Sequence, residues 1–411
     1  MTITAEPHAA GRPILRRVAW ALGRAERPRV PPPVDAHEGA VVPGVLDARS
    51  WGDEHAARDD GPRGAASARW AAAGRPAGGP SLDVLAISSG GPHGAFAAGL
   101  LAGWGEAGDR PSFDVVTGVS VGALIAPLVF AGPDRDPALR DMFAGAGRSR
   151  LARLDVVGAL RGAPGLLGPG PLRAWIATLV DAPLIEAIAR EHGRGRRLLV
   201  GTTNLDAGRP VVWDLGALAA GGRDALMRSV LLASASVPGL LPPVPIEVEW
   251  AGRRHTELHA DGALTRTTLT AAIGAAAAEP AMAGTLWVIQ NNALLPAYDP
   301  VRASLSAVAA RALTTLIRRK GDADLVAAWL AAREAGAAFR LAFLPRGHRG
   351  GARSNRSAPA MRALFEAGRA QGLAGGGWID RPPMLADRRD LDPALRPAPA
   401  SRPTPAPLVA P

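Results

Sequence analysis

Three features of this 411-residue chain predict an α/β fold. The run DVVTGVSVGALIAPLVFAG, residues 114 to 132, passes from an uncharged β-branched segment, Val115 to Thr117, through Gly-Val-Ser-Val-Gly centred on Ser120 into Ala123, Leu124 and Ile125. That reads as strand, sharp turn and helix. A second such unit lies upstream, where the apolar run LDVLAISS, residues 82 to 89, ends in GGPHG and continues as the helical pattern AFAAGLLAGWGEAG. Further strand-length apolar runs, RRLLVGTTN and GTLWVIQNN, alternate with helical patterns downstream.

Residues 1 to 79 are rich in Pro, Ala, Gly and Arg, with PRVPPPV at 28 to 34, and are expected to form a partly disordered arm. Within it ILRRVAWALGRAERPR has the pattern of a short basic amphipathic helix, and GVLDARSWGDEHA is expected to pack on the core. A single folded core, expected to be the catalytic one, is read over 80 to 300. Its first loop carries Gly90, Gly91, Pro92, His93 and Gly94 ahead of a helix N-terminus. The glycines imply backbone amides that approach a ligand closely, and an oxyanion suits them better than a phosphate. The spacing fits neither the dinucleotide glycine motif nor the P-loop, which needs a lysine absent here.

From 136 to 192 short helices are expected, among them PLIEAIAREH. RRLLVGTTN and RPVVWDL read as a strand pair, followed by the helix DALMRSVLLASAS, in which Ser234 and Ser236 are taken as packing residues. IEVEW and RHTELHADGAL, joined by Ala251 and Gly252, alternate as a hairpin whose second strand delivers Asp261 into Asp-Gly-Ala. TLTAAIGAAAAEPAMAG is a small-residue helix. A helical extension packed on the core is expected over 301 to 385, with ASLSAVAARALTTLIRRKG and DADLVAAWLAAREAG as two helical stretches, then FRLAFLP and APAMRALFEAGRAQG. Residues 386 to 411 read as a disordered Pro-rich tail.

Composition narrows the function. The chain has no cysteine, which excludes a disulfide, a thiolate metal site, a thiol nucleophile and a cysteine-linked lipid anchor. No metal or cofactor is expected. The formal charge is +10, yet every basic residue but Lys320 is an arginine and most are scattered singly. Nucleic acid is therefore not the expected partner, whereas peripheral contact with an acidic lipid surface stays open. Val115 to Pro133 is uncharged over nearly a membrane span but carries Ser120, Pro127 and the turn glycines, so a buried strand, turn and helix explain it better. Arg24 interrupts the first apolar run, and we read neither a cleavable signal nor an anchor. A cytoplasmic or peripheral membrane location is the expectation, with the compartment otherwise undetermined.

Three motifs, SGGPHGAFAAGLL at 89 to 101, GVSVG at 118 to 122 and DGA at 261 to 263, together resemble the bacterial patatin-like phospholipases and stand in that family's order. TTNLDAGRPVVWDLG, SVLLASASVPGLLPPV and FEAGRAQGLAGGGW add to the resemblance, which covers about 80 to 380. It implies a three-layer α/β/α sandwich with a central, mostly parallel sheet and a serine–aspartate dyad that hydrolyses acyl esters of lipids. Carried over, Ser120 is the nucleophile between the elbow glycines Gly118 and Gly122. Asp261, followed by Gly262 and Ala263, is the proton acceptor, and the loop from Gly90 to Gly94 is the oxyanion hole. This chain departs from the family in having Ser89 where a further glycine is common and Pro92 and His93 where a basic residue is frequent. Proline supplies no amide.

Serine is a weak nucleophile at neutral pH and needs a base in hydrogen-bond reach, which a carboxylate shielded from water can be. Both groups are expected at one edge of a parallel sheet. The rival enzyme reading is an α/β-hydrolase triad in the order serine, acid, histidine; only His348 follows Asp261 in the chain. Two further rivals are a non-catalytic lipid-binding protein on the same scaffold and an acyltransferase. Headgroup, acyl-chain preference and oligomeric state are not legible here.

Overall fold

The computed structural model describes residues 29–34, 37–45, 47–53, 82–144, 168–270, 284–292, 294, 300–344 and 357–385. The expected basic helix near the N-terminus, most of the small-residue helix after Leu269, His348 and the Pro-rich tail lie outside them. Among these residues, strands β1 (Arg49–Trp51), β2 (Asp83–Ile87), β3 (Val115–Val119), β4 (Arg197–Asn204), β5 (Arg209–Asp214), β6 (Val244–Trp250), β7 (Arg253–Asp261), β8 (Thr285–Gln290) and β9 (Ala338–Phe343) form one sheet. Its order is β1-β5-β4-β3-β2-β8-β9, with the β6–β7 ribbon attached to β4. Strands β4, β3, β2, β8 and β9 are mutually parallel, and β5 is antiparallel to both β4 and β1.

The helices are α1 (Gly94–Ala107), α2 (Val121–Ala131), α3 (Asp136–Ala144), α4 (Gly170–Leu179), α5 (Ala182–Gly193), α6 (Leu215–Ala220), α7 (Asp224–Ser234), α8 (Leu305–Glu334) and α9 (Ala358–Leu373). Several starts are fixed by side chains that accept an otherwise orphaned amide: Asp181 from Leu184 at 2.8 Å and Asp214 from Ala217 at 2.9 Å. Strand side chains alternate between two apolar clusters, as the period of two requires. Leu85 and Ile87 of β2 pack with α1, α2, α5, α7 and α9, whereas Val84 and Ala86 face Leu325, Ala328 and Ala332 of α8. Helices thus cover both faces of a mostly parallel sheet, making three layers.

The expected hairpins form, β4 with β5 and β6 with β7, the latter turning at Ala251 and Gly252, both at positive φ. The segment expected to pack on the core does so as β1. Its Arg49 makes a buried bidentate ion pair with Glu257 of β7, and Val41 bridges to Glu249 of β6. The two helical stretches read over 303 to 336 are one continuous helix, α8. Its Gly321 does not break it, because a lone glycine costs a helix only about 1 kcal/mol. Its buried face packs against Gln290 and Thr267, and Lys320 pairs with Asp324 at 2.6 Å across the same turn.

Sheet topology corrects the expectation of one parallel edge for both candidate groups. One side of β4 is taken by β5 over Leu199 to Asn204. The other side pairs with parallel β3 over Arg197 to Gly201, and beyond it with antiparallel β7 over Thr202 to Asn204. Since β3 and β7 share that side and run in opposite directions, they meet end to end. Val119 of β3 lies opposite Gly201, and Asp261 of β7 lies opposite Thr202. The last residue of one strand therefore faces the last residue of the other.

Helix α9 lies against α1 through glycines. A Cβ on Gly99 would stand 1.9 Å from the Phe365 carbonyl oxygen, and one on Gly368 2.2 Å from the Phe96 carbonyl oxygen. Gly99→Ala sets a helix-propensity gain of about 1 kcal/mol against a backbone clash that forces two helices apart, and overpacking of this kind costs about 1–3 kcal/mol. The clash is with main chain and cannot be relieved by a rotamer change, so it wins. The variant should unfold at lower denaturant concentration than wild type, whereas a midpoint at or above wild type would show that the helices do not touch here.

Candidate functional site

Strand β3 ends at Val119, α2 begins at Val121, and Ser120 is the whole of the connection. It has φ 56° and ψ −121°. Among the described residues only Ser120 and the hairpin residue Ala251 are non-glycine positions at positive φ. Such a conformation costs on the order of 1–3 kcal/mol and persists only where the surroundings over-determine it. They do so through close packing on both sides. A Cβ on Gly118 would lie 2.4 Å from the Gly122 carbonyl oxygen, and one on Gly122 would lie 2.2 Å from that of Ile87 in β2. The elbow can form only with glycine at both places.

The end-on meeting of β3 and β7 brings Ser120 and Asp261 together. The Ser120 hydroxyl donates to Oδ2 of Asp261 at 2.6 Å, and both residues are buried. The other carboxylate oxygen, Oδ1, accepts the Ala263 amide at 2.9 Å, and the Asp261 amide donates to the Ser236 carbonyl at 2.9 Å. Thr203 Oγ1 donates to the Asp261 carbonyl at 3.0 Å. The carboxylate is thus held by the Ser120 hydroxyl and the Ala263 amide, and the Asp261 main chain by Ser236 and Thr203. Burial pushes its pKa up to about 6, against the bonds from Ser120 and Ala263, which favour the ionised form.

The loop after β2 runs beside the elbow, where a Cβ on Gly122 would stand 2.8 Å from the Ser88 carbonyl oxygen. Residues Gly91 to His93 form a single 3-10 turn leading into α1, with Gly91 at φ 54°. The amides of His93 and Gly94 are used inside the turn, bonding to Gly90 and to Gly91 and Pro92. Those of Gly90 and Gly91 have no protein acceptor among the described residues, and Pro92 has no amide to offer. Gly94 packs under the elbow, where a Cβ would meet Val121 at 2.3 Å. Ser89 is buried, donating its amide to the Thr267 carbonyl at 2.9 Å. Burial lowers the pKa of His93, favouring the neutral imidazole.

One member of the arrangement reads from the sequence only as a packing residue. The Ser120 amide donates to Ser234 Oγ at 2.9 Å, and the Ser234 hydroxyl donates in turn to the Gly201 carbonyl at 2.7 Å. Ser234 therefore ties the elbow to β4. A signal was present: Met227, Val230, Leu231 and Ser234 make a buried stripe at helical spacing, and Ser234 is its one polar residue.

Behind Asp261, a buried network runs through β7. Thr202 Oγ1 accepts the Trp213 indole N–H at 2.8 Å and stands 2.9 Å from His259 Nδ1, while His259 Nε2 lies 3.0 Å from Glu257, the partner of Arg49. Burial alone would raise the pKa of Glu257, but the bonds from His259 and Arg49 outweigh it and hold the carboxyl down at about 2. Burial lowers the pKa of His259 in turn, with Glu257 opposing, which favours the neutral ring. A neutral ring that donates from Nε2 to Glu257 and accepts at Nδ1 from Thr202 fits both contacts. His255 Nδ1 lies 3.2 Å from the Pro31 carbonyl oxygen. Among the described residues there is no group of three or more metal-ligating side chains.

Residues 85–273 match the family model described as patatin-like phospholipase, a span that opens in β2 and closes after Asp261. No curated protein sequence matches the chain. Among solved structures, VipD from Legionella pneumophila is similar with a TM-score of 0.32 and 11% identity, over 75% of this chain and 69% of that one. Over residues 85–273 the chain is thus similar to the patatin-like phospholipases, a family of lipid acyl hydrolases.

Proposed function

We propose that the protein is a serine esterase that cleaves acyl esters of lipids, of the phospholipase A or lysophospholipase type, with Ser120 as nucleophile and Asp261 as its only general base. The observation that carries this reading is the direct 2.6 Å hydrogen bond from a serine in a strained strand-to-helix turn to a fully buried carboxylate. In a serine–histidine–acid triad an imidazole stands between hydroxyl and acid. Here the two are in contact, which favours the dyad. His259 is engaged with Glu257 and Thr202, further supporting a mechanism without histidine.

In this mechanism Ser120 Oγ attacks the ester carbonyl as its proton passes to Asp261 Oδ2. Negative charge develops on the carbonyl oxygen, where the amides of Gly90 and Gly91, with the first amides of α2, are the donors at hand; one such donor is typically worth roughly a hundred- to a thousandfold in rate. Asp261 then gives the proton to the departing alcohol, leaving an acyl-serine. Water deprotonated by Asp261 releases the fatty acid and returns the proton to Ser120. A carboxylate with a pKa near 6 is a better base than an exposed aspartate and is still ionised at neutral pH.

A fluorophosphonate probe should label wild type and not Ser120→Ala; persistence of label or turnover in that variant would refute the assignment. Single replacements of His255, His259 and His348 should leave kcat within about tenfold of wild type where the fold is retained, whereas loss by several orders of magnitude at His348 would mark a triad instead.

The pH dependence follows from Asp261. Its unprotonated form is the active one, so kcat/KM should rise with pH through about 6 and then level off. A profile still flat a full unit below that midpoint would remove Asp261 as the base. The same shift sets a stability effect. A folded-state pKa above the ordinary 3.8 means that the native protein binds more protons than the unfolded chain between 3.8 and about 6. Stability from this group is therefore present at low pH and lost as pH rises through that window, leaving a cost on the order of 1–3 kcal/mol at neutral pH. Asp261→Asn removes the buried charge and should be inactive yet at least as stable as wild type at pH 7. A marked fall in its melting temperature would contradict this.

A further inference from the structure

Helix α8 connects the parallel neighbours β8 and β9, so it runs antiparallel to them, starting at the edge where the strands end. From Gly321 to Glu334 it is about 21 Å long at 1.5 Å per residue, matching the ~20 Å of a six-residue strand such as β9. This half carries the residues buried on the sheet: Asp324, Leu325, Ala328 and Ala332. The preceding residues, Leu305 to Lys320, add about 24 Å beyond that match, and of their apolar side chains Ile317 is the one that packs against the cluster on this face of the sheet. None of them with a described burial is buried. This half therefore overshoots the sheet on the edge where β2 enters the glycine loop and β3 enters Ser120. Its root is tied there: Thr267 donates its amide and hydroxyl to Asp324 at 2.7 and 2.9 Å, and its carbonyl accepts the Ser89 amide at 2.9 Å.

The overshoot is apolar on one side. Leu305, Val308, Ala312 and Leu316 follow helical spacing, and the three larger ones are 88%, 52% and 68% exposed. Between Val301 and Lys320 there are five basic residues, Arg302, Arg311, Arg318, Arg319 and Lys320, and no acidic one, with Arg319 and Lys320 paired to Asp322 and Asp324 in the next turn. A second copy of a chain with formal charge +10, presenting the same basic helix, would repel this one. An anionic lipid surface would attract it, and apolar side chains flanked by arginines suit the boundary between headgroups and acyl chains.

We infer that the first half of α8, Leu305 to Lys320, is a docking helix for anionic lipid surfaces, standing beside the mouth of the Ser120 site. The inference rests on the reading of that site as a lipid acyl hydrolase, and it assigns the surface that brings aggregated substrate to it.

The test compares full-length wild type, Leu305→Asp with Leu316→Asp, and Arg302→Gln with Arg318→Gln. Each is sedimented with vesicles of equal parts phosphatidylglycerol and phosphatidylcholine and with vesicles of phosphatidylcholine alone. Wild type should bind the anionic vesicles, and its affinity should fall with salt. The leucine pair should weaken binding at least about tenfold, and each arginine lost should cost about fivefold, the factor for roughly 1 kcal/mol per basic residue at such a surface. Turnover of a soluble short-chain ester should be unchanged in both variants. Ser120→Ala should bind vesicles as wild type does, which separates docking from catalysis: a failure of Ser120 as nucleophile would leave the binding results intact. Equal vesicle binding by wild type and the leucine variant overturns the inference. So does a wild type that sediments as a dimer while the leucine variant is a monomer, since the face then joins two copies. Loss of soluble-ester turnover together with vesicle binding also overturns it, because the residues would then be supporting the site itself.

Discussion

The hydrogen bond between Ser120 and Asp261 exists because two strands share one side of β4 and meet end to end. Each residue of the pair alone is costly. A serine at φ 56° is strained, and a carboxylate with no exposure has lost its hydration. A 2.6 Å bond from the hydroxyl, with the Ala263 amide on the other oxygen, restores part of what desolvation removes. The rest of the architecture keeps these two strand ends at one distance. Displacement of β7 by one residue along β4 would point Asp261 to the opposite face of the sheet.

Register of β7 is therefore the constraint that matters, and only three residues of β4 pair with it directly. The remaining restraint comes from the ribbon partner β6 and from the segment before β2. Arg49 of β1 reaches Glu257 in the interior, Thr256 donates its amide to the Val30 carbonyl, and Arg29 pairs with Asp206, which also accepts the Leu258 amide. Removing one partner of a buried ion pair leaves a charge without compensation, at a cost of about 3–5 kcal/mol, so Arg49 and Glu257 resist separation. Residues far from the elbow in sequence thus hold Asp261 in place.

What was legible in the sequence was what is encoded locally. The elbow is a glycine-spaced turn between an apolar strand and an apolar helix. The β6–β7 hairpin announces itself by alternation and Ala-Gly, and the glycine loop by its position after a strand. That Ser120 and Asp261 face each other across 141 positions was not encoded in any window; it was inferred from the order of three motifs. Ser234 and the Arg49–Glu257 pair were missed for the same reason, since a serine in a helix and an arginine in a Pro-rich arm acquire meaning only from long-range partners. The continuity of α8 was missed because Gly321 looks like a boundary in isolation, whereas the packing of its surroundings absorbs a cost of about 1 kcal/mol.

The same physics separates the two halves of α8. Residues from Gly321 onward carry the buried face of a crossover helix, and their apolar positions are satisfied by the sheet. Leu305, Val308 and Leu316 lie on the side of the helix turned away from that buried stripe, in solvent, whereas Ile317 continues the stripe and packs against the cluster. Leaving three large aliphatic side chains exposed forgoes about 1.5–3 kcal/mol each of burial energy that a shorter or more polar segment would not have at stake. Such surface is retained where something else covers it. At this position, rooted through Asp324 and Thr267 in the loop that follows Asp261, whatever covers the helix lies at the sheet edge that carries Ser120, where the proposed ester substrate would enter.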